Sequence, residues 1–141
     1  MAEVKTIDIT TFFSKKNEDN GIWYEPKVNG VPVGFEVKVY GPNSSAATVA
    51  RDTANKAEDE ANKIADAKTK SDTLDKIIAQ LATDLVSDIR GKDGNKIVDD
   101  KGEAITKDDI YNIMFNSPVL ATDITRFQRN QNNFLSPKSS N

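Results

Sequence analysis

The sequence predicts an α+β protein: a small N-terminal β-hairpin or sheet, a central alanine-rich helical hairpin, a short second hairpin and two C-terminal helices. Three observations carry this expectation. Residues 33–39 alternate apolar and polar side chains, the period of a strand with one wet face. Residues 46–67 contain no glycine or proline and repeat alanine at four- and three-residue steps, the period of one helix face. Further on, glycine-containing turns and a Thr-Lys-Asp-Asp capping pattern divide the chain into short elements.

At the N-terminus, Ile7 and Ile9 alternate with Thr6, Asp8 and Thr10, which predicts a short strand. Phe12 and Phe13 follow, and the polar run 14–20 reads as a loop. Residues 1–20 are therefore expected as a flexible or short-strand N-terminus, and 21–135 as a single α+β domain. In the β-region, 21–41, Ile22, Trp23 and Tyr24 open a strand, and Asn29-Gly30 suits a tight turn because both residues tolerate positive φ. Val33, Phe35, Val37 and Val39 then point one way, with Gly34, Glu36, Lys38 and Tyr40 pointing the other.

Gly41-Pro42 stops the strand, and Asn43 or Ser44 can cap the helix that follows. Ala50, Ala54, Ala57, Ala61 and Ile64 form a narrow stripe on it. A second stripe runs through Leu74, Ile77 or Ile78, Leu81, Leu85 and Ile89 in a different phase. The change of phase predicts a helical hairpin over 44–89, with helices at 44–68 and 72–89 and Ser71 capping the second. One long helix is the alternative, since nothing breaks the segment. A turn-rich hairpin is expected over 90–105, pairing 96–98 with 103–105. C-terminal helices are expected over 106–132, the first capped by Thr106 and the second opened by Ser117-Pro118. The polar tail 136–141 is expected to be disordered.

Composition limits the function. The 141 residues include no cysteine and no histidine. Disulfides, thiolate nucleophiles and cysteine-based zinc sites are thereby excluded, and the commonest proton shuttle near neutral pH is absent. The net charge of −3, with lysines and arginines interleaved among acids, offers no basic footprint for nucleic acid. No apolar run is long enough to span a bilayer, and 1–11 lacks the features of a signal peptide. Acids near 93–109 fail the calcium-loop test, because placing Gly94 or Gly102 at its glycine puts Ile89 or Ile97 at the first ligand position. Neighbouring carboxylates at Glu58-Asp59-Glu60, Asp99-Asp100 and Asp108-Asp109 lie in hydrophilic stretches and read as solvated faces and caps. No phosphate loop, nucleophile elbow or dinucleotide fingerprint occurs. The expectation is a non-enzymatic protein with no catalytic, cofactor-binding or metal-binding residues.

The candidate partner-binding residues are Ala50, Ala54, Ala57, Ala61 and Ile64, whose small side chains let another helix approach, and Tyr40 on the wet face of its strand. The stripe serves either to close an antiparallel helix pair or to dock a partner or a second copy. Trp23 belongs either to the core or to an interface.

The order of features resembles small tail-morphogenesis proteins of tailed bacteriophages. The resemblance rests on Gly41-Pro42-Asn43-Ser44 before an alanine-rich helix, the Asp93-Gly94 turn, Thr106, Ser117-Pro118, Leu120, Ile124, Phe127 and Asn132-Asn133-Phe134-Leu135. It departs from the family pattern at Asp88-Ile89-Arg90-Gly91, where an aromatic residue is expected. It implies a tail assembly chaperone in the host bacterial cytoplasm that binds tape-measure or tail-tube protein. A structural virion component (a head–tail joining or minor tail protein) and a phage-encoded inhibitor of a host protein are the alternatives. Neither nucleic-acid nor membrane binding is expected.

Overall fold

The computed structural model describes residues 5–135. A 3-10 turn at Ile9–Phe12 leads into a short helix, α1 (Lys15–Asn20). Four strands follow: β1 (Ile22–Tyr24), β2 (Lys27–Val28), β3 (Val31–Pro32) and β4 (Phe35–Val39). Two long helices, α2 (Ser45–Ala61) and α3 (Ala67–Asp84), precede β5 (Val86–Gly91). Helices α4 (Lys107–Asn116) and α5 (Pro118–Arg129) and a 3-10 turn at Gln131–Phe134 complete the described chain. The architecture is α+β.

Alternation in β4 determines how the layers stack. This strand is central in a three-stranded sheet, antiparallel to β1 on one side and β5 on the other. Val37 and Val39 are fully buried, and Val33 and Phe35 pack partly covered against the same core. Ala79 and Ala82 of α3, Ile110 and Met114 of α4, and Leu120, Ala121 and Ile124 of α5 close over that face, with Phe134 beside them. The Asn29-Gly30 turn joins β2 to β3 with φ of 53° and 81°, the two positive angles a tight hairpin turn needs. On the sheet's other face the Arg90 guanidinium lies 3.9 Å from the Trp23 ring centre, and Arg90 Nε donates to Glu36 Oε1 at 2.9 Å. Trp23 is thus half-buried under its own chain's cations rather than inside the core.

Several expectations are corrected. Ile7 and Ile9 form no strand and stay 72% and 67% exposed. Asp8 instead accepts from the Thr10 backbone N–H at 2.9 Å and from its hydroxyl at 2.6 Å, a local turn that competes with extended structure. The expected loop at 14–20 is mostly helix α1, whose Glu18 is buried. Glu18 accepts from Ser14 Oγ at 2.7 Å and from the Asn43 backbone N–H at 2.8 Å, which clasps α1 to the start of α2.

The helical hairpin is present and the single long helix is not, but its boundaries move. The link is 62–66, and Asp66 caps α3 by accepting from Thr69 N–H at 2.9 Å. Ser71 lies inside α3 and caps nothing. The second helix ends at Asp84, not at 89, because 86–91 pairs with β4. Leu85 and Ile89 keep helical spacing from Leu81, so local periodicity favoured helix while a distant strand supplied the stronger partner. The hairpin over 90–105 reduces to a single bridge between Val98 and Ala104.

Thr106 caps α4 with a full capping box to Asp109, and Pro118 opens α5 as expected, although Ser117 makes no side-chain cap bond. α5 stops at Arg129, and 131–134 is a 3-10 turn, so the second helix is shorter than 132. The tail 136–141 lies outside the described residues.

Candidate docking groove

Helix α2 starts where its first turn is satisfied. Ser44 Oγ accepts from the Ala47 N–H at 3.1 Å and donates to the Gly41 carbonyl at 2.7 Å. With no β-branched run, glycine or proline, the helix continues for 17 residues to Ala61. Ala47, Ala50, Ala54, Ala57 and Ala61 then recur on one side, towards α3. They do not share one environment. Ala47, Ala50 and Ala61 are buried, Ala54 is half-buried and Ala57 is exposed.

Between the buried ends, a groove of about 270 Å³ opens between the two helices. Ala50, Ala54, Ala57 and Thr53 line it from α2, and Thr73, Ile77 and Leu81 line it from α3, with Tyr111 of α4 also contributing. The cause is steric. A methyl side chain cannot fill the space between neighbouring helices, and Ile77 and Leu81 fill it only in part. The apolar surface continues beyond the groove. Phe115 stacks on Tyr111 with ring centres 6.2 Å apart and is 38% exposed.

The alanines and the α3 aliphatics neither ionise nor ligate. Lys76, Gln80 and Asp84 stand among the lining residues, and Gln80 Nε2 donates to Asp84 Oδ1 at 2.9 Å. The alanines, Ile77 and Leu81 of such a lining can bury apolar surface, and the groove holds no cluster of three metal-ligating side chains among the described residues. Tyr111 was not among the sequence candidates. Its signal was the aromatic pair at positions 111 and 115, four residues apart on one helix face.

The remaining candidates lie elsewhere. Ile64 is in the link after α2, half-buried, where its N–H bonds to the Ala61 carbonyl at 3.0 Å. Tyr40 follows β4, its N–H donating to the Leu85 carbonyl at 3.0 Å, and it does not line the groove. Glu58, Asp59 and Glu60 are exposed. Asp99 accepts from the Lys101 and Glu103 N–H groups at 2.8 Å each and so builds a turn.

A second depression, between the β2–β3 turn and α5, includes Lys27, Val119, Asp123 and Arg126. There the Tyr24 hydroxyl donates to Asp123 Oδ2 at 2.6 Å, and the Tyr24 ring stacks on Phe127 at 3.9 Å. Burial, with the Asp123 hydrogen bond second and its charge third, raises the Tyr24 phenol to about 12. A group whose proton is held more tightly in the folded state stabilises fully below its unfolded pKa and loses that contribution as pH rises through the folded value. The Tyr24 contribution is therefore expected to be intact below about pH 10 and to fade toward pH 12. Spectrophotometric titration should show a tyrosine ionisation step near pH 12, and Tyr24→Phe should remove that step.

No family model matches the chain, and no curated protein or solved structure does so either. Among the described residues, no helix is long and apolar enough to cross a membrane.

Proposed function

We propose that this chain is a non-enzymatic assembly protein that holds an apolar helical segment of another protein in the groove between α2 and α3. The observation that carries the reading is the open middle of the alanine stripe. Ala54 and Ala57 lie between buried alanines at both ends of α2, with Ile77 and Leu81 facing them. A trough floored by small residues accepts a ridge of larger aliphatic side chains from a third helix. Phe115, exposed and stacked on the groove-lining Tyr111, extends the apolar area available to such a helix.

The resemblance to tailed-phage morphogenesis proteins supports a specific partner. A tape-measure protein is a long helical chain with apolar stripes that aggregate when uncovered. In this reading the chain is a tail assembly chaperone acting in the infected bacterium, with tape-measure or tail-tube protein as client. Co-expression with both proteins from the same phage tests it: a stable complex with either is expected, and failure to co-purify with both contradicts the assignment. Its presence in purified particles by mass spectrometry would make it a structural component instead.

The groove makes a prediction of its own. Ala57→Glu places a carboxylate on the groove wall at an exposed helical position, where glutamate suits the helix. Stability should change by less than about 0.5 kcal/mol, while client capture falls at least tenfold. Asn62→Glu, in the link outside the groove, should leave capture unchanged.

A further inference from the structure

On another flank of α2, a buried hydrogen-bond donor without an acceptor lies beside a guanidinium. Gln128 of α5 is fully buried, and its Nε2 has no hydrogen-bond partner, alone in this respect among the described buried side-chain nitrogens and oxygens. Its Oε1 accepts from the Arg51 guanidinium of α2. Turning the amide over does not help, since Nε2 would then face the guanidinium and Oε1 would lose its donor. Among the described residues, neither Arg51 nor Arg129 forms an ion pair with a carboxylate, whereas Arg90 pairs with Glu36 at 2.9 Å. Arg129 lies close enough for its like charge to weigh on Arg51, whose guanidinium is held below its usual range by burial first and by Arg129 second.

We infer that Arg51, Arg129 and Gln128 form a receptor for an oxyanion, a carboxylate or phosphate group, where α2 meets α5. One such group would meet three deficits together. It accepts from the orphan amide, supplies the acceptor geometry that a guanidinium fork matches, and offsets the charge that Arg129 sets against Arg51. The site is separate from the alanine groove, because Arg51, Gln128 and Arg129 do not line that groove. Arg51 is only partly covered and Arg129 is exposed, so the guanidinium can move outward to admit the ligand to the amide beneath. The Gln128 amide selects an acceptor, which an oxyanion is and a cation is not.

The test is a nuclear magnetic resonance titration of the full chain. Sodium acetate and sodium phosphate are added in separate series, against sodium chloride at matched ionic strength. The Gln128 side-chain amide and the Arg51 Nε–H resonances should shift and saturate with at least one oxyanion and not with chloride. Acetate alone would assign the site to carboxylates, phosphate alone to phosphate groups, and both to oxyanions generally. Arg129→Gln, at an exposed position, should weaken binding at least fivefold while the backbone spectrum keeps its fold pattern. Shifts that never saturate, or that are the same in Arg129→Gln, overturn the proposal. So does a high-resolution crystal structure grown with both acetate and phosphate in which a sealed water satisfies Gln128 Nε2 and no anion touches Arg51.

Discussion

Phe134→Ala is expected to destabilise the protein by about 3–5 kcal/mol. Phe134 is fully buried at the end of the described chain, and its ring centre lies 5.9 Å from that of Phe127. Phe127 in turn stacks on Tyr24, so one aromatic row runs from β1 through α5 to the closing turn. The same turn holds α1, because Asn17 Nδ2 donates to the Phe134 carbonyl at 2.9 Å. Removing the ring leaves a cavity between elements that are distant in sequence and cannot readily collapse. Chemical denaturation should show a lower midpoint. Phe12→Ala, removing a side chain that is 66% exposed, should cost under about 1 kcal/mol.

The second large effect is expected at Gly41. Its backbone angles are not in the left-handed region, so packing rather than conformation demands glycine. A Cβ there would lie 2.1 Å from Glu18 Cγ, 2.4 Å from its Cβ and 2.7 Å from its Cα. The Gly41 N–H also donates to the Glu18 carbonyl at 2.9 Å, so the two backbones cannot separate without losing that bond. Gly41→Ala should therefore cost at least the ~1–3 kcal/mol typical of overpacking. Thermal unfolding checks this, and adding Glu18→Ala should not restore stability, because the Cα and Cβ contacts remain. A midpoint for Gly41→Ala within a degree of the parent would mean that α1 is not clasped to the start of α2.

Legibility in the sequence followed the range of the forces involved. Elements governed by neighbours a few residues away could be read directly. Ser44 and Thr106 cap the helices they were expected to cap, Asn29-Gly30 makes its turn, and Val37 and Val39 face the core. Elements governed by distant partners could not. β5 carries a helical apolar spacing and becomes a strand because β4 is available to pair with it. α1 has no apolar stripe at all, and its place depends on a buried carboxylate bonded to Asn43, 25 residues away. Ser71 and Asp66 are both competent caps by chemistry, and only the packing of α2 on α3 decides where the link falls.

The groove was half legible. The alanine spacing named one wall, including Ala50, Ala54 and Ala57, but not its unevenness, in which Ala61 is buried and Ala57 exposed. Ile77 and Leu81 of the opposite wall belonged to the second apolar stripe, and only the fold brings them across from the alanines. Ile64 and Tyr40 satisfied the same pattern rules and ended outside the groove, because a link and a strand end carry them away from it.

The central claim is that a partner helix lies in the trough between α2 and α3. Site-specific photocrosslinking in cells co-expressing the tape-measure and tube proteins tests it most directly, with the photoreactive residue placed at Ala57 in one variant and at Thr122, on the far side of α5, in another. The account predicts a crosslinked client from position 57 and little or none from position 122. Equal yields, or a client captured from position 122 alone, would contradict it.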